Sequence, residues 1–399
     1  MDSLCVRCKG KGLCGKHCHI LDSFRDNAPR PVTHFSGPSP PEVFVGRIGY
    51  PHINSGILAP TTFDTRLDLN NAEDWSKANL NVANVLRLRA RLIYGRAKTH
   101  IKKQTEVGKV TKELAMTHKP TATEFFLKKL PTVSMSSSSV FRPMTNPAPI
   151  RKVLLEENTK IHKKVDYIVD DSHCLATEGL KELYKSRLGV DHLQKLLSVG
   201  LLGKKLNRRM VPTRWSITAV DDTLSKQMLK RIRTYEEVDS VMLFSGSFVG
   251  NYIEILILPG RFGFEAIEAW DSGIYNQEHH TVFSSDWEGF NGRKTYASNV
   301  IGGYYAMRLP VCEVLDKMKK QGTVLVFRRI KEEYYAPLGV GIVREATRRA
   351  VNNGFTEFES KESALEMIKE HVGIDPKELK ERSWILREYG KQKSLKSWF

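Results

Sequence analysis

The chain has 399 residues, and its 62 Lys and Arg outnumber 45 Asp and Glu to give a formal charge of +17. Hydrophobic residues make up 41% and charged residues 27%, which excludes wholesale disorder and leaves enough chain for two or three cored domains. No stretch reaches the ~18 consecutive apolar residues of a membrane span. Met1-Asp2-Ser3-Leu4-Cys5 lacks the basic-then-apolar layout of a signal peptide. A soluble, cytoplasmic protein is therefore expected, and the positive excess calls for polyanionic partners, nucleic acid first.

Residues 1–20 hold Cys5, Cys8, Cys14 and Cys18, with Gly10, Gly12 and Gly15 between them. A Cys-x-x-Cys turn lets two thiolates meet one metal, and the glycines permit the turns that bring the second pair round. Four thiolates suit tetrahedral Zn²⁺, whose binding supplies folding energy to a segment without a core. Disulfides and an iron–sulfur cluster are the rivals, and His17 or His19 could stand in for Cys18. Four protein ligands leave no open position, so the expected role is structural. Cys174 and Cys312 fall in helical patterns and are expected to be small core residues.

Pro29, Pro31, Pro38, Pro40 and Pro41 mark a stiff connector. Residues 72–94 then read as a helix, with Trp75, Val82, Leu86 and Ile93 on one face. Residues 87–130 carry Arg87, Arg89, Arg91, Arg96, Lys98, Lys102, Lys103, Lys109, Lys112, Lys119, Lys128 and Lys129 against only Glu106, Glu113 and Glu124. Arg87 and Arg91 stand one helical turn apart and can reach one stretch of phosphate backbone. Residues 131–149, with Ser136 to Ser139 and several prolines, predict a loop.

Further on, residues 175–188 have helical spacing, with Gly189 as a left-handed C′ residue. The run Lys204, Lys205, Arg208, Arg209 and Arg214 contains no acid. Residues 241–244 and 252–258 are short apolar runs parted by Gly246, Gly250 and Asn251, which predicts paired strands. Pro310 can open a helix that Gly322 closes, followed by a strand at 323–327. Residues 338–351 read as a helix stopped by Asn353-Gly354, and Asp375-Pro376-Lys377-Glu378 is a helix start. Without regular strand–helix alternation, the body is expected to be α+β, a mixed α/β arrangement, with the zinc module at one end and a flexible tail at the other.

The chain ends Gln392-Lys393-Ser394-Leu395-Lys396-Ser397-Trp398-Phe399. This fits Gln-x-x-hydrophobic-x-x-aromatic-aromatic, the PIP-box peptide that many replication and repair proteins use to bind the sliding clamp, PCNA. One 3₁₀-like turn gathers Leu395, Trp398 and Phe399 into an apolar plug, with Gln392 as a hydrogen-bonding anchor. Lys391, Lys393 and Lys396 favour an acidic partner surface.

Several dense segments complete the pattern. They are Val45-Gly46-Arg47-Ile48-Gly49-Tyr50-Pro51, Gly200-Leu201-Leu202-Gly203, Val211-Pro212-Thr213-Arg214-Trp215-Ser216 with Asp221-Asp222, Gly250-Asn251, and Gly302-Gly303-Tyr304-Tyr305-Ala306-Met307-Arg308. Pro337-Leu338-Gly339-Val340-Gly341, followed by Arg344-Glu345, is the last. With the cysteines and the tail, the chain resembles the Nre family of archaeal DNA repair proteins over nearly its whole length. The resemblance implies an N-terminal Nre region over 21–280, a C-terminal one over 281–390 and a tail over 391–399. It also implies a nucleoid-associated role in the DNA damage response with recruitment by PCNA, and supplies no settled reaction.

The alternative is a metal-dependent, nuclease-like enzyme delivered by the same tail. Asp170-Asp171, Asp221-Asp222 and Asp286 with Glu288 are carboxylates suited to Mg²⁺ or Mn²⁺, and His279-His280 are further candidate ligands. Arg208, Arg209 and Arg214 near Asp221 and Asp222 make that segment the candidate phosphate-handling site. Trp215, Tyr304, Tyr305, Tyr334 and Tyr335 are candidates for stacking on bases. No Walker loop, nucleophile elbow or dinucleotide fingerprint is present.

Overall fold

The computed structural model describes residues 17–39, 42–63, 71–136, 138–271 and 280–391. They form two compact units. One takes the chain up to Leu224 together with Ala336–Gly341; the other takes Ser225–Tyr335 and the chain from Ile342. Each is built on a six-stranded mixed sheet with helices, so the fold is α+β.

In the N-terminal unit the strands are β1 (His34–Ser39), β2 (Glu42–Val45), β3 (His52–Pro60), β4 (Leu92–His100), β5 (Thr121–Leu127), β6 (Met135–Ser136), β7 (Met144–Thr145) and β8 (Pro147–Leu155). Its helices are α1 (His19–Asn27), α2 (Ala72–Lys77), α3 (Val82–Ala90), α4 (Glu106–Met116), α5 (Lys163–Asp170), α6 (Ala176–Lys185), α7 (Val190–Ser198) and the start of α8 (Thr213–Ile232). The main sheet runs β1-β5-β8-β4-β3-β2, with β4 and β8 parallel. Alternation fixes the sheet's inner face: Ile53, Ile57, Ile93 and Phe125 are fully buried. Thr105 caps α4 by accepting from the Gly108 amide at 3.0 Å, and α4 lies against β2, β3 and β8.

The C-terminal unit has strands β9 (Glu236–Glu237), β10 (Val241–Phe248), β11 (Asn251–Leu258), β12 (Gly263–Trp270), β13 (Val282–Glu288), β14 (Lys320–Gln321), β15 (Thr323–Ile330) and β16 (Phe355–Phe358). Helices α9 (Gly303–Met318), α10 (Gly341–Asn352), α11 (Lys361–Val372), α12 (Pro376–Arg382) and α13 (Trp384–Glu388) complete it. Its sheet runs β13-β12-β15-β11-β10-β16, with β12 and β15 parallel. Leu256, Ile267, Leu325 and Phe327 pack one face against Leu365, Ile368 and Leu379. On the other face, Phe264 meets Tyr304 of α9 edge-on at 5.1 Å. Gly246 lies so near α10 that a Cβ there would come within 2.6 Å of the Ala350 Cα, so glycine sets the helix–sheet spacing. Buried Glu265 of β12 accepts from Ser383 Oγ at 2.6 Å and from the amides of Trp384 and Ile385 at 3.0 and 2.9 Å. A strand carboxylate thereby caps α13.

Local expectations were met where the signals were local. β10 and β11 pair through a turn with Val249 and Gly250 at positive φ, β15 covers the expected strand, and Asp375 accepts from the Lys377 amide. Others need correction. The single helix expected over 72–94 is two helices and a strand: Asn79 takes a left-handed φ of 49°, Asn81 caps α3, and Ile93 and Tyr94 belong to β4. Gly189 is no left-handed terminator; Arg187 is (φ 62°), and Gly189 precedes α7 as its N-cap.

Pro310 sits inside α9, not at its start, and Lys319, not Gly322, ends that helix in the left-handed conformation. Burial of twelve of its sixteen residues outweighs the proline's missing hydrogen bond. The helix expected from 338 begins at Gly341. Cys312 is buried in α9 as expected, whereas Cys174 is half-buried just ahead of α6. The described residues of 131–149 include β6, β7 and the start of β8, with Val140, Met144 and Asn146 buried, so the segment is not a plain loop. No helix among the described residues is long and apolar enough to cross a membrane.

Candidate nucleic-acid interface

At one end of the N-terminal sheet, three separate segments are stitched together by backbone hydrogen bonds. The Ile101 amide donates to Pro51 O and the Met210 amide to Ile101 O, each at 3.0 Å. Residues 46–56, 96–104 and 208–216, which meet here, contain eight Lys or Arg and no Asp or Glu. Arg47, Arg96, Lys98, Lys102, Lys103 and Arg209 are exposed and Arg214 is half-buried. Strand register sets Lys98 opposite Asn54 and Arg96 opposite Gly56. The two basic runs read from the sequence thus converge, as a surface for phosphates requires.

Residues 46–51 turn tightly between β2 and β3. The amide of Gly46 donates to Asn54 O (2.8 Å), that of Tyr50 to Arg47 O (3.2 Å) and that of His52 to Gly49 O (2.8 Å). Gly49 has φ +79°, and a Cβ there would fall 2.7 Å from His52 O, so no larger residue fits the turn. Ile48 stands at its tip with 85% of its surface exposed. The Tyr50 ring packs on Trp215 with centroids 5.4 Å apart, and both rings remain over 40% exposed.

Other basic residues are committed to the fold. Arg208 donates from Nε to Gly203 O, from Nη1 to Val169 O and from Nη2 to Asp171 O, at 2.7–2.8 Å. Arg89, counted in the sequence among surface cations, is fully buried: it ion-pairs with Glu42 at 2.6 Å and donates to Pro143 O. Arg142 joins Glu42 to Asp191. Burial in this network brings the Lys195 ammonium down to about 8, against the pull of Asp191. Burial likewise holds the neighbouring His192 imidazole near 3, with Lys195 adding repulsion. Lys112 is half-buried, and burial lowers its pKa.

Most of the acids proposed for metal binding are also engaged, while Asp170 is exposed at the end of α5. Asp171 accepts from the amides of His173 and Cys174, which lower its pKa. Asp286 accepts from the Asn299 and Val300 amides and pairs with Arg293; Glu288 pairs with Arg308 at 2.8 Å. Asp221 is buried in α8 and Asp222 half-buried. Among the described residues no three His, Cys, Asp or Glu converge as metal ligands. Cys5, Cys8, Cys14, His279, Gln392, Leu395, Trp398 and Phe399 lie outside the described residues; Cys18, half-buried, precedes α1.

Of the five aromatics expected to stack on bases, only Trp215 is exposed; Tyr304, Tyr305 and Tyr334 are buried and Tyr335 is half-buried. Sequence reasoning gave no role to Ile48 and Tyr50, although an apolar residue between two turn glycines marks a displayed tip. It also missed Ser245, Glu254 and His371, which meet in the C-terminal unit. Hydroxyl and carboxylate there both address His371 Nδ1, so the imidazole cannot relay a proton from one to the other.

Comparison with known proteins now places the chain. Residues 13–276 match the family model "Archaeal Nre, N-terminal" and residues 288–398 match "Archaeal Nre, C-terminal". DNA repair protein NreB of Archaeoglobus fulgidus is 34% identical over 98% of both chains. NreA of the same organism is 34% identical over 90% of this chain and 92% of its own. NreA of Haloferax volcanii is 30% identical over 91% and 89%. No solved structure matches. Two models that together span both sheets, and relatives matched almost end to end, establish that the chain belongs to the archaeal Nre family.

Proposed function

We propose that this protein is a DNA repair factor brought to DNA by the sliding clamp through Gln392, Leu395, Trp398 and Phe399. The observation that carries the repair role is the end-to-end match to relatives named DNA repair proteins. Contact with DNA is supported by the acid-free basic confluence around Pro51, Ile101 and Met210. Recruitment rests on the spacing of the last eight residues, and a structural Zn²⁺ on the donor chemistry of Cys5, Cys8, Cys14 and Cys18.

The test is calorimetric titration of the full chain with the purified clamp. Trp398→Ala with Phe399→Ala should weaken binding about 30-fold or more, as loss of an anchor pair does, while the melting temperature stays unchanged. Unaltered affinity overturns the recruitment reading. Metal analysis of the same preparation should return about one zinc per chain; iron or no metal overturns the zinc assignment.

A further inference from the structure

The basic confluence ends in something that phosphate binding does not need. Ile48 is held out at 85% exposure on a turn fixed by three backbone hydrogen bonds, with Gly49 in the conformation that the turn demands. Beside it, Tyr50 and Trp215 pack ring to ring at a 54° tilt and leave 42% and 46% of their surfaces exposed. The aliphatic tip and the open faces of the two rings are apolar surface that folding has left in water. The three converging segments carry exposed cations and no acid.

We infer that Ile48, Tyr50 and Trp215 form a base-contacting tip that selects DNA containing unpaired bases over intact duplex. Intact B-form duplex offers the tip only phosphates, sugars and base edges, because its base faces are stacked on one another. An unpaired or unstacked base offers a flat apolar face that can cover an aromatic ring while Arg47, Lys102, Lys103 and Arg209 hold the flanking phosphates. An aliphatic side chain at the tip is suited to entering an opened base step. The charge complement is to a polyanion with apolar faces, a description that single-stranded DNA meets. This inference rests on the DNA reading above and adds the form of DNA.

The experiment measures binding of the full chain, by fluorescence anisotropy, to a thymidine homopolymer, a blunt duplex and the same duplex with a central unpaired bubble. The wild-type protein should prefer the homopolymer and the bubble. Ile48→Ser and Trp215→Ala should each weaken those two about tenfold, in the range of one lost base-stacking contact, and leave duplex binding within about twofold. Ile48 is exposed enough for its replacement to leave the fold intact, so the inference does not depend on how Trp215→Ala folds. Equal wild-type affinity for duplex and bubble overturns it and leaves the DNA reading standing, as does equal weakening of all three ligands. Binding to none of them overturns both. Vesicles of phosphatidylglycerol and phosphatidylcholine are the remaining arm, and capture that Ile48→Ser abolishes would overturn the inference in favour of a membrane surface.

Discussion

The two sheets share a plan and differ in what they do with charge. Each has six strands and one parallel pair. In the C-terminal unit, helices cover both faces and three arginines are turned inward: Arg328 pairs with Glu268 and holds Asn251 at 2.9 Å, Arg308 pairs with Glu288, and Arg329 with Asp271. In the N-terminal unit Arg89 is treated the same way, but the end of β3 and β4 leaves Arg47, Arg96, Lys98, Lys102 and Lys103 in solvent with no acid in their segments. A positive net charge therefore says little until each cation is assigned to a pair or to the surface.

That contrast breaks most easily at Arg328. Arg328→Met strands buried Glu268 without its cation, which should cost about 3–5 kcal/mol of stability by urea denaturation. A loss below ~1 kcal/mol would show that the ion pair is not holding the sheet. Reversal of Arg47, Lys102 and Lys103 to Glu should do the opposite. Stability should stay within about 0.5 kcal/mol, while DNA affinity falls and the salt slope of binding shrinks by about 2–3. An unchanged slope would place the DNA elsewhere.

The smallest expected effect is acid sensitivity at His192, whose Nε2 lies 3.1 Å from Ala115 O. Its folded pKa, near 3, lies below its ordinary value of 6.5, so the unfolded chain binds more protons between those values and stability falls with pH. Between pH 6.5 and 5.5 the loss should be about 1 kcal/mol, and His192→Gln should remove it. A variant with the wild-type pH profile would sink the assignment.

What was legible in the sequence was what neighbours in sequence determine. The β10–β11 hairpin, β15 and the Asp375 cap each depend on a few adjacent residues. Strand β4 was hidden because Ile93 falls in helical step with Trp75, Val82 and Leu86, although Asn79 and Asn81 break the chain between them. Arg89 looked like surface because its partners, Glu42 and Pro143, lie far away along the chain. The two basic runs were both visible, yet their meeting depends on Pro51, Ile101 and Met210 forming one chain of hydrogen bonds. No periodicity reports such a junction.

The cap that Glu265 provides for α13 also acts as a mooring. It ties the last helix before the terminal peptide to a central strand of the C-terminal sheet. Only residues 389–391 separate Glu388, the end of that helix, from Gln392, a reach of about 14 Å at full extension. If the proposed recruitment holds, so short a link would keep the C-terminal unit within reach of the clamp ring.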